Sequence, residues 1–179
     1  IAFALGRYNF KGRSSTNLLI FLPMATPEIV LGASLLTMFL NLGINPGLTT
    51  IIISHVMFCI SFVVVTVKAR IASLDPRLEQ AAMDLYANEF QTFRRVTLPL
   101  VAPGIAGAAL LSFSLSFDDF IITNFNSGTT VTFPLFVYTR AERGLPAQAN
   151  VIGVSMFFLA LAIVLIGQAV SKRTKLANK

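Results

Sequence analysis

Three carboxylates stand in stretches of sequence that are otherwise lipid-soluble. Glu28, Asp118 and Asp119 each fall inside an apolar run long enough to cross a bilayer, whereas Asp75, Glu79, Asp84, Glu89 and Glu142 lie in polar loops. A carboxylate near the centre of a membrane helix costs roughly 2.5–3.5 kcal/mol, less near an interface, so it is a functional candidate by default. On a helical period Asp119 shares one face with Ser112, Ser116 and Thr123, at spacings of four, three and four. Such a polar stripe on an apolar helix can wall a water-filled path. Asp118 points about 100° away, toward Ser114. Glu28, beside Pro27, is expected about 15 Å along its helix and is the costliest of the three. No Lys or Arg lies within these spans. A purely structural use of the acids would therefore need Arg140, Arg143 or another chain as partner, or would have them cap a kinked helix. Unpaired acids along a path favour a cationic solute.

The elements that must position these acids follow from hydropathy. The chain has 179 residues, 55% of them hydrophobic and 12% charged. Four runs, Asn17–Leu40, Thr49–Val67, Val101–Thr123 and Asn150–Val170, meet the requirement of about 20 apolar residues for a helical span. The expected fold class is therefore an all-α integral membrane protein, a single transmembrane domain over 1–179. With an apolar stub at Ile1–Gly6, no initiator Met and no signal-peptide pattern, the sequence is expected to open at the end of an earlier span and to be N-terminally truncated. Pro23 and Pro27 should kink or interrupt the first full span, and Gly32 should let a neighbouring helix approach closely. In the outer loop Asn124–Ala149, the run Phe133–Tyr138 reads as a short helical element.

Charge sets orientation. If each run spans once, Arg7, Lys11, Arg13, Lys68, Arg70, Arg77, Arg94, Arg95, Lys172, Arg173, Lys175 and Lys179 share one side, and only Arg140 and Arg143 face the other. By the positive-inside rule the first side is cytoplasmic, with the C-terminus on it. The isoelectric point near 10.0 then reflects topology; scattered boundary charges exclude a nucleic-acid-binding face. Cys59 stands alone as an inert buried thiol. His55, the single histidine, reads as a packed, hydrogen-bonded residue and cannot build a metal site by itself.

The longest polar segment between spans, about residues 70–100, reads as a docking device. Asp75-Pro76 is an N-cap followed by proline at the first helical position. Leu78, Ala81, Ala82 and Leu85 recur at i, i+3, i+4 and i+7, one apolar face of a short helix. Asn88 can cap a second helix, Glu89–Val96, carrying Phe90 and Phe93 on one side, and Pro99 and Pro103 bracket the start of the next span. The paired acids and exposed aromatics fit a protein groove better than a membrane surface.

Glu79-Gln80-Ala81-Ala82, then Asp84-Leu85 and Leu98-Pro99, resembles the Glu-Ala-Ala cytoplasmic loop of the permease subunits of ABC importers. The resemblance extends over the whole chain. It implies the type I permease fold of binding-protein-dependent importers, with about four complete spans visible. It also implies that Glu79, Ala81, Ala82, Asp84, Leu85, Tyr86, Glu89, Phe90 and Phe93 form an ATPase-coupling loop. This chain departs from the family pattern in two places: Gln80 is inserted in the Glu-Ala-Ala spelling, and Tyr86 stands where the family usually has glycine. Further on, Ser116-Phe117-Asp118-Asp119-Phe120, Ser127-Gly128 and Phe133-Pro134-Leu135 are similar to the second permease of spermidine/putrescine importers. That likeness implies a role in polyamine passage for positions matching Ser116, Asp118, Asp119 and Glu89, with Glu28 matching a family Asp. Glu89 lies in the cytoplasmic loop, so coupling suits it better than solute contact.

What the resemblance implies is half of the pore of an ATP-driven polyamine importer in a bacterial inner membrane. Its partners would be a sister permease, a dimer of ATP-binding subunits, an extracytoplasmic polyamine-binding protein and membrane lipid. The chain has no Gly-rich phosphate loop followed by Lys-Ser/Thr, so no catalytic residue, cofactor or metal is expected in it; ATP and Mg would sit in the partner subunits. Two other readings stay open from the residues: the same importer class with ferric ion, thiamine or another small molecule as solute, and a proton-coupled secondary transporter using His55 and the acids.

Overall fold

The computed structural model describes residues 1–141, 144 and 147–177, with side chains as far as residue 163. Among the described residues all regular structure is helical. In chain order these are α1 (Ala2–Arg7), α2 (Arg13–Ala25), α3 (Glu28–Asn41), α4 (Leu48–Ala72), α5 (Arg77–Asp84), α6 (Glu89–Thr92), a π-helical turn (Phe93–Thr97), α7 (Leu98–Asp118), α8 (Ile121–Asn126), α9 (Phe133–Ala141) and α10 (Ala147–Ala177). The chain divides into two units, Ile1–Pro134 and Leu135–Lys179. Glu142, Arg143 and Lys179 lie outside the described residues.

In the first unit, α4 and the continuous helix Glu89–Asp118 are long and apolar enough to cross a membrane. The expected span Asn17–Leu40 is not one helix. It is α2 and α3, bent by 106°, and it makes a third crossing only if the pair counts as one broken span. The cause is local. Thr26 precedes Pro27 and is driven into extended backbone, φ −81° and ψ 132°, because the proline ring clashes with a helical neighbour. Glu28 is therefore not buried midway along a helix: it is the first residue of α3, where the helix dipole favours a carboxylate.

The second helix of the inner loop also differs from expectation. It does not stop at Val96 but runs into α7, with Pro99 and Pro103 inside it rather than before it. A proline within a helix cannot donate to the carbonyl one turn back and its ring crowds that carbonyl. The π-helical turn just ahead of Pro99 shifts the register by one residue there.

Two apolar clusters hold the first unit. Leu31, Leu35 and Phe39 of α3 meet Phe58 and Cys59 of α4 and Ile122 of α8. Nearer the inner loop, Val67 and Ile71 of α4 pack with Val101 and Ala108 of α7, covered by Ala2 and Phe3. Gly32 permits a close approach of α3 and α8: a Cβ there would lie 2.9 Å from the Phe125 ring and 3.3 Å from the Ile122 backbone. Asn126, fully buried, stitches three elements. Its amide donates to the carbonyls of Gly32 (3.2 Å) and Ile122 (2.9 Å). Its backbone carbonyl accepts from the Gly47 amide (3.2 Å) and the Thr50 hydroxyl (2.7 Å).

The Phe133–Tyr138 run is helical, as the start of α9. Arg140 lies 5.7 Å over the ring of Phe136. The fourth expected span, Asn150–Val170, falls within α10 and runs past the described side chains.

Candidate functional site

The polar stripe expected along one helix is rebuilt by a break in that helix. α7 ends at Asp118, and Asp119 turns to extended backbone, φ −64° and ψ 118°. Its carboxylate then serves the start of α8: Oδ1 accepts from the Ile122 amide (3.3 Å) and Oδ2 from the Thr123 amide (2.8 Å). Those amides have no partner in the helix's own first turn, so an acid placed before them is stabilising. The Thr123 hydroxyl also donates to Oδ2, at 2.8 Å.

His55 closes the group from α4. Its Nδ1 lies 2.7 Å from the Ser116 hydroxyl and its Nε2 lies 2.8 Å from the Thr123 hydroxyl and 3.2 Å from Asp119 Oδ2. An intramembrane acid expected to lack a basic partner within the spans thus has one, supplied by histidine rather than Lys or Arg. The side chains are 12% exposed for His55 and 4% for Asp119. Ser116, Asp119 and Thr123 therefore come together, although not as a helical face. Ser112 does not join them. Its hydroxyl is buried without a partner, and its carbonyl accepts a weak bond from Cys59 Sγ at 3.7 Å.

Asp119 borders two cavities. One, of about 400 Å³, is lined by His55, Ser116, Asp119 and Thr123 together with Phe113, Phe117 and Phe133. The three rings form a stacked series: Phe113 to Phe117 is 5.9 Å at 18°, and Phe117 to Phe133 is 5.5 Å at 21°. Aromatic faces beside a carboxylate suit an ammonium group, which each attracts by a different route. The second cavity, of about 360 Å³, is lined by Glu28, Asp118, Asp119, Ser114 and Phe58. Glu28 and Asp118 are exposed, and all three acids border this second cavity. Among the described residues no group of His, Cys, Asp and Glu is arranged to hold a metal ion.

The inner loop forms two short helices with defined caps. The Asp75 carboxylate accepts from the Arg77 amide at 2.9 Å. Asn88 and Gln91 exchange side-chain and backbone bonds of 2.8 and 3.1 Å, a capping box opening at Glu89. Glu79 turns inward, accepting from the Thr97 hydroxyl at 3.2 Å and pairing with Arg7 at 3.5 Å. Ala82 is half-buried and Phe93 packs edge-on against Phe3 with centroids 5.6 Å apart. Ala81, Asp84, Leu85, Tyr86, Glu89 and Phe90 remain exposed. The helices are joined through Tyr86, a non-glycine residue at φ 63°.

Sequence reasoning read His55 as packed and hydrogen-bonded, as it is, without naming its partners, and it missed two further features. The phenylalanines at 113, 117 and 133 were hidden among sixteen in the chain. Asn126 could have been noticed as an amide in the run Ile121–Asn126.

The model of one family, described as "Binding-protein-dependent transport system inner membrane component", matches residues 1–175. The chain belongs to that family. It is an inner-membrane, multi-pass component of all-α fold. Among curated relatives, it is 37% identical over 172 residues to the spermidine/putrescine transport system permease protein PotC of Escherichia coli, covering 96% of this chain and 65% of the relative. It is 35% identical over 173 residues to the protein of the same name from Haemophilus influenzae, covering 96% and 67%. It is also 35% identical over 148 residues to the putrescine transport system permease protein PotI of Escherichia coli, covering 79% and 53%. The chain thus spans about two thirds, or less, of the length of the curated relatives it matches.

Proposed function

We propose that this component forms one half of the transmembrane pathway of an ATP-driven importer for polyamines. The observation that carries the reading is the cavity in which Asp119 stands beside the Phe113–Phe117–Phe133 series. An acid and aromatic faces together recognise an alkylammonium, and they would give little to a neutral solute. The likeness to permeases named for spermidine and putrescine supports the same solute class.

In this reading a sister permease completes the pathway, a secreted binding protein delivers solute at the outer side, and two ATP-binding subunits dock on the exposed side of α5 and α6. ATP and Mg belong to those subunits, and this chain performs no bond chemistry. The inner loop and the C-terminus face the cytoplasm, as the boundary charges favour. Closure of the ATPase dimer pushes on α5 and α6. Because α6 continues into α7 as one helix, Glu89–Asp118, that push reaches Asp118 and Asp119 directly.

The test is uptake of radiolabelled putrescine and spermidine by a strain lacking its own polyamine importers and carrying the full-length gene with its ATPase, sister permease and binding protein. Polyamine uptake that requires ATP is expected. Uptake of ferric ion or thiamine instead, or uptake that persists without the ATPase, would overturn the reading. Asp119→Asn should lower uptake by about tenfold while assembly and ATPase stimulation survive; wild-type uptake at matched abundance would remove Asp119 from the path.

A further inference from the structure

The geometry points to His55 as a latch on Asp119 Oδ2, which a solute ammonium displaces when it binds that oxygen; this rests on the transport reading above. The Asp119 Oδ2 atom already holds the Thr123 amide, the Thr123 hydroxyl and His55 Nε2, while Oδ1 accepts from the Ile122 amide. Three of these four donors belong to α8, the element that Asp119 caps, and the two amides among them cannot leave without unwinding it. His55 is the exception. It reaches Asp119 from α4, and it lines the same 400 Å³ cavity as the phenylalanine series.

A neutral imidazole is enough to satisfy the whole network. Ser116 donates to Nδ1, Nε2–H is shared between the Thr123 hydroxyl and Asp119, and Thr123 donates to Asp119. That assignment leaves the imidazole neutral, so the group carries a single negative charge and still attracts a cation. An arriving ammonium offers Asp119 the same kind of donor as Nε2–H with a full charge behind it, so the carboxylate gains the stronger bond in the exchange. The released imidazole keeps Ser116 as partner. After the solute moves on, Nε2–H returns to the carboxylate, which prevents an emptied acid from standing unpaired in the membrane.

The test uses the complete importer in proteoliposomes with the binding protein inside the assay, reading putrescine moved per ATP hydrolysed. His55→Lys places a permanent ammonium where the solute must sit and should lower that ratio about tenfold, with the ATPase rate within about twofold of wild type. His55→Gln keeps a neutral donor and should retain the ratio within about threefold. A simple packing role for His55 would lower transport and ATPase together in both variants and leave the ratio unmoved; that result overturns the latch. So does a His55→Lys importer that moves putrescine as efficiently per ATP as wild type. If the wild-type complex moves no polyamine at all, the transport reading itself fails and the latch with it.

Discussion

The two ends of the first unit, outer and inner in the proposed topology, are built on opposite terms. At the outer end, α3, α8 and the turn before α4 are closed upon each other through Asn126, Thr50 and two close glycine contacts. At the inner end, the backbone of α5 and α6 is equally well capped, but its apolar side chains find no cover. Leu85 is 81% exposed, Phe90 69% and Tyr86 98%. The chain's own contacts complete the first region. The second is complete as a backbone and incomplete as a surface, which is what the proposed docking of ATP-binding subunits requires. Stability and coupling should therefore separate cleanly between the two ends.

The strongest way to break this contrast is at Gly128. Its φ is +56°, and a Cβ would lie 2.3 Å from the carbonyl oxygen of Pro46. Gly128→Val meets both the left-handed backbone and a backbone clash, and should cost about 3 kcal/mol or more. Loss of the folded complex in detergent size-exclusion runs is the expected result. Asn126→Leu comes next. It strips donors from two buried carbonyls and should cost about 1–3 kcal/mol, read as a lower thermal midpoint in detergent. A variant of either kind that folds normally but fails to couple would mean that the outer seam moves during transport instead of serving as a fixed frame.

At the inner end the signs reverse. Leu85→Asp exposes no new apolar surface and breaks no internal contact, so stability should stay within about 0.5 kcal/mol of wild type. Co-purification with the ATP-binding subunits should nevertheless be lost. Retained co-purification would move the docking surface away from α5. Glu79 gives the internal control. It faces Arg7 and Thr97, so its removal should loosen the loop itself before it affects docking.

Much of this architecture was legible in sequence because its causes are local. The helix start at Asp75-Pro76, the cap at Asn88 and the close approach at Gly32 each depend on one or two residues whose backbone or hydrogen-bonding chemistry admits few alternatives. The failures share a different cause. The break at Thr26-Pro27 is legible, but the size of the turn, 106°, is not, so a straight reading of the run puts Glu28 mid-helix instead of at a helix start. The stripe through Ser112, Ser116, Asp119 and Thr123 assumed an unbroken helix. Asp119 caps the next helix instead, and that choice brings Thr123 in and leaves Ser112 out. His55 could not be assigned a partner from sequence, because its three partners lie 61 to 68 positions away across an interface between helices.

The smallest effect, and the sharpest probe of the contrast, is at Tyr86. Its amide bonds to the carbonyl of Met83 (2.9 Å), and the amide of Ala87 bonds to that of Ala82 (3.2 Å). This is a Schellman ending, with Tyr86 at the position that must be left-handed. The bend between α5 and α6 is therefore the one a glycine would make, formed without glycine. A left-handed non-glycine residue costs about 1–2 kcal/mol, and glycine returns part of that as lost chain entropy, about 0.5–1 kcal/mol. Tyr86→Gly should accordingly stabilise the loop by about 0.5–1 kcal/mol, read as slower amide exchange over residues 77–92. The exposed ring packs on nothing within this chain, so any loss of ATP-coupled uptake cannot come from a weakened bend. If uptake holds, Tyr86 only marks the bend. If uptake falls while exchange slows, the ring itself is part of the surface that meets the motor, and a backbone strain of roughly 1 kcal/mol is what keeps it presented there.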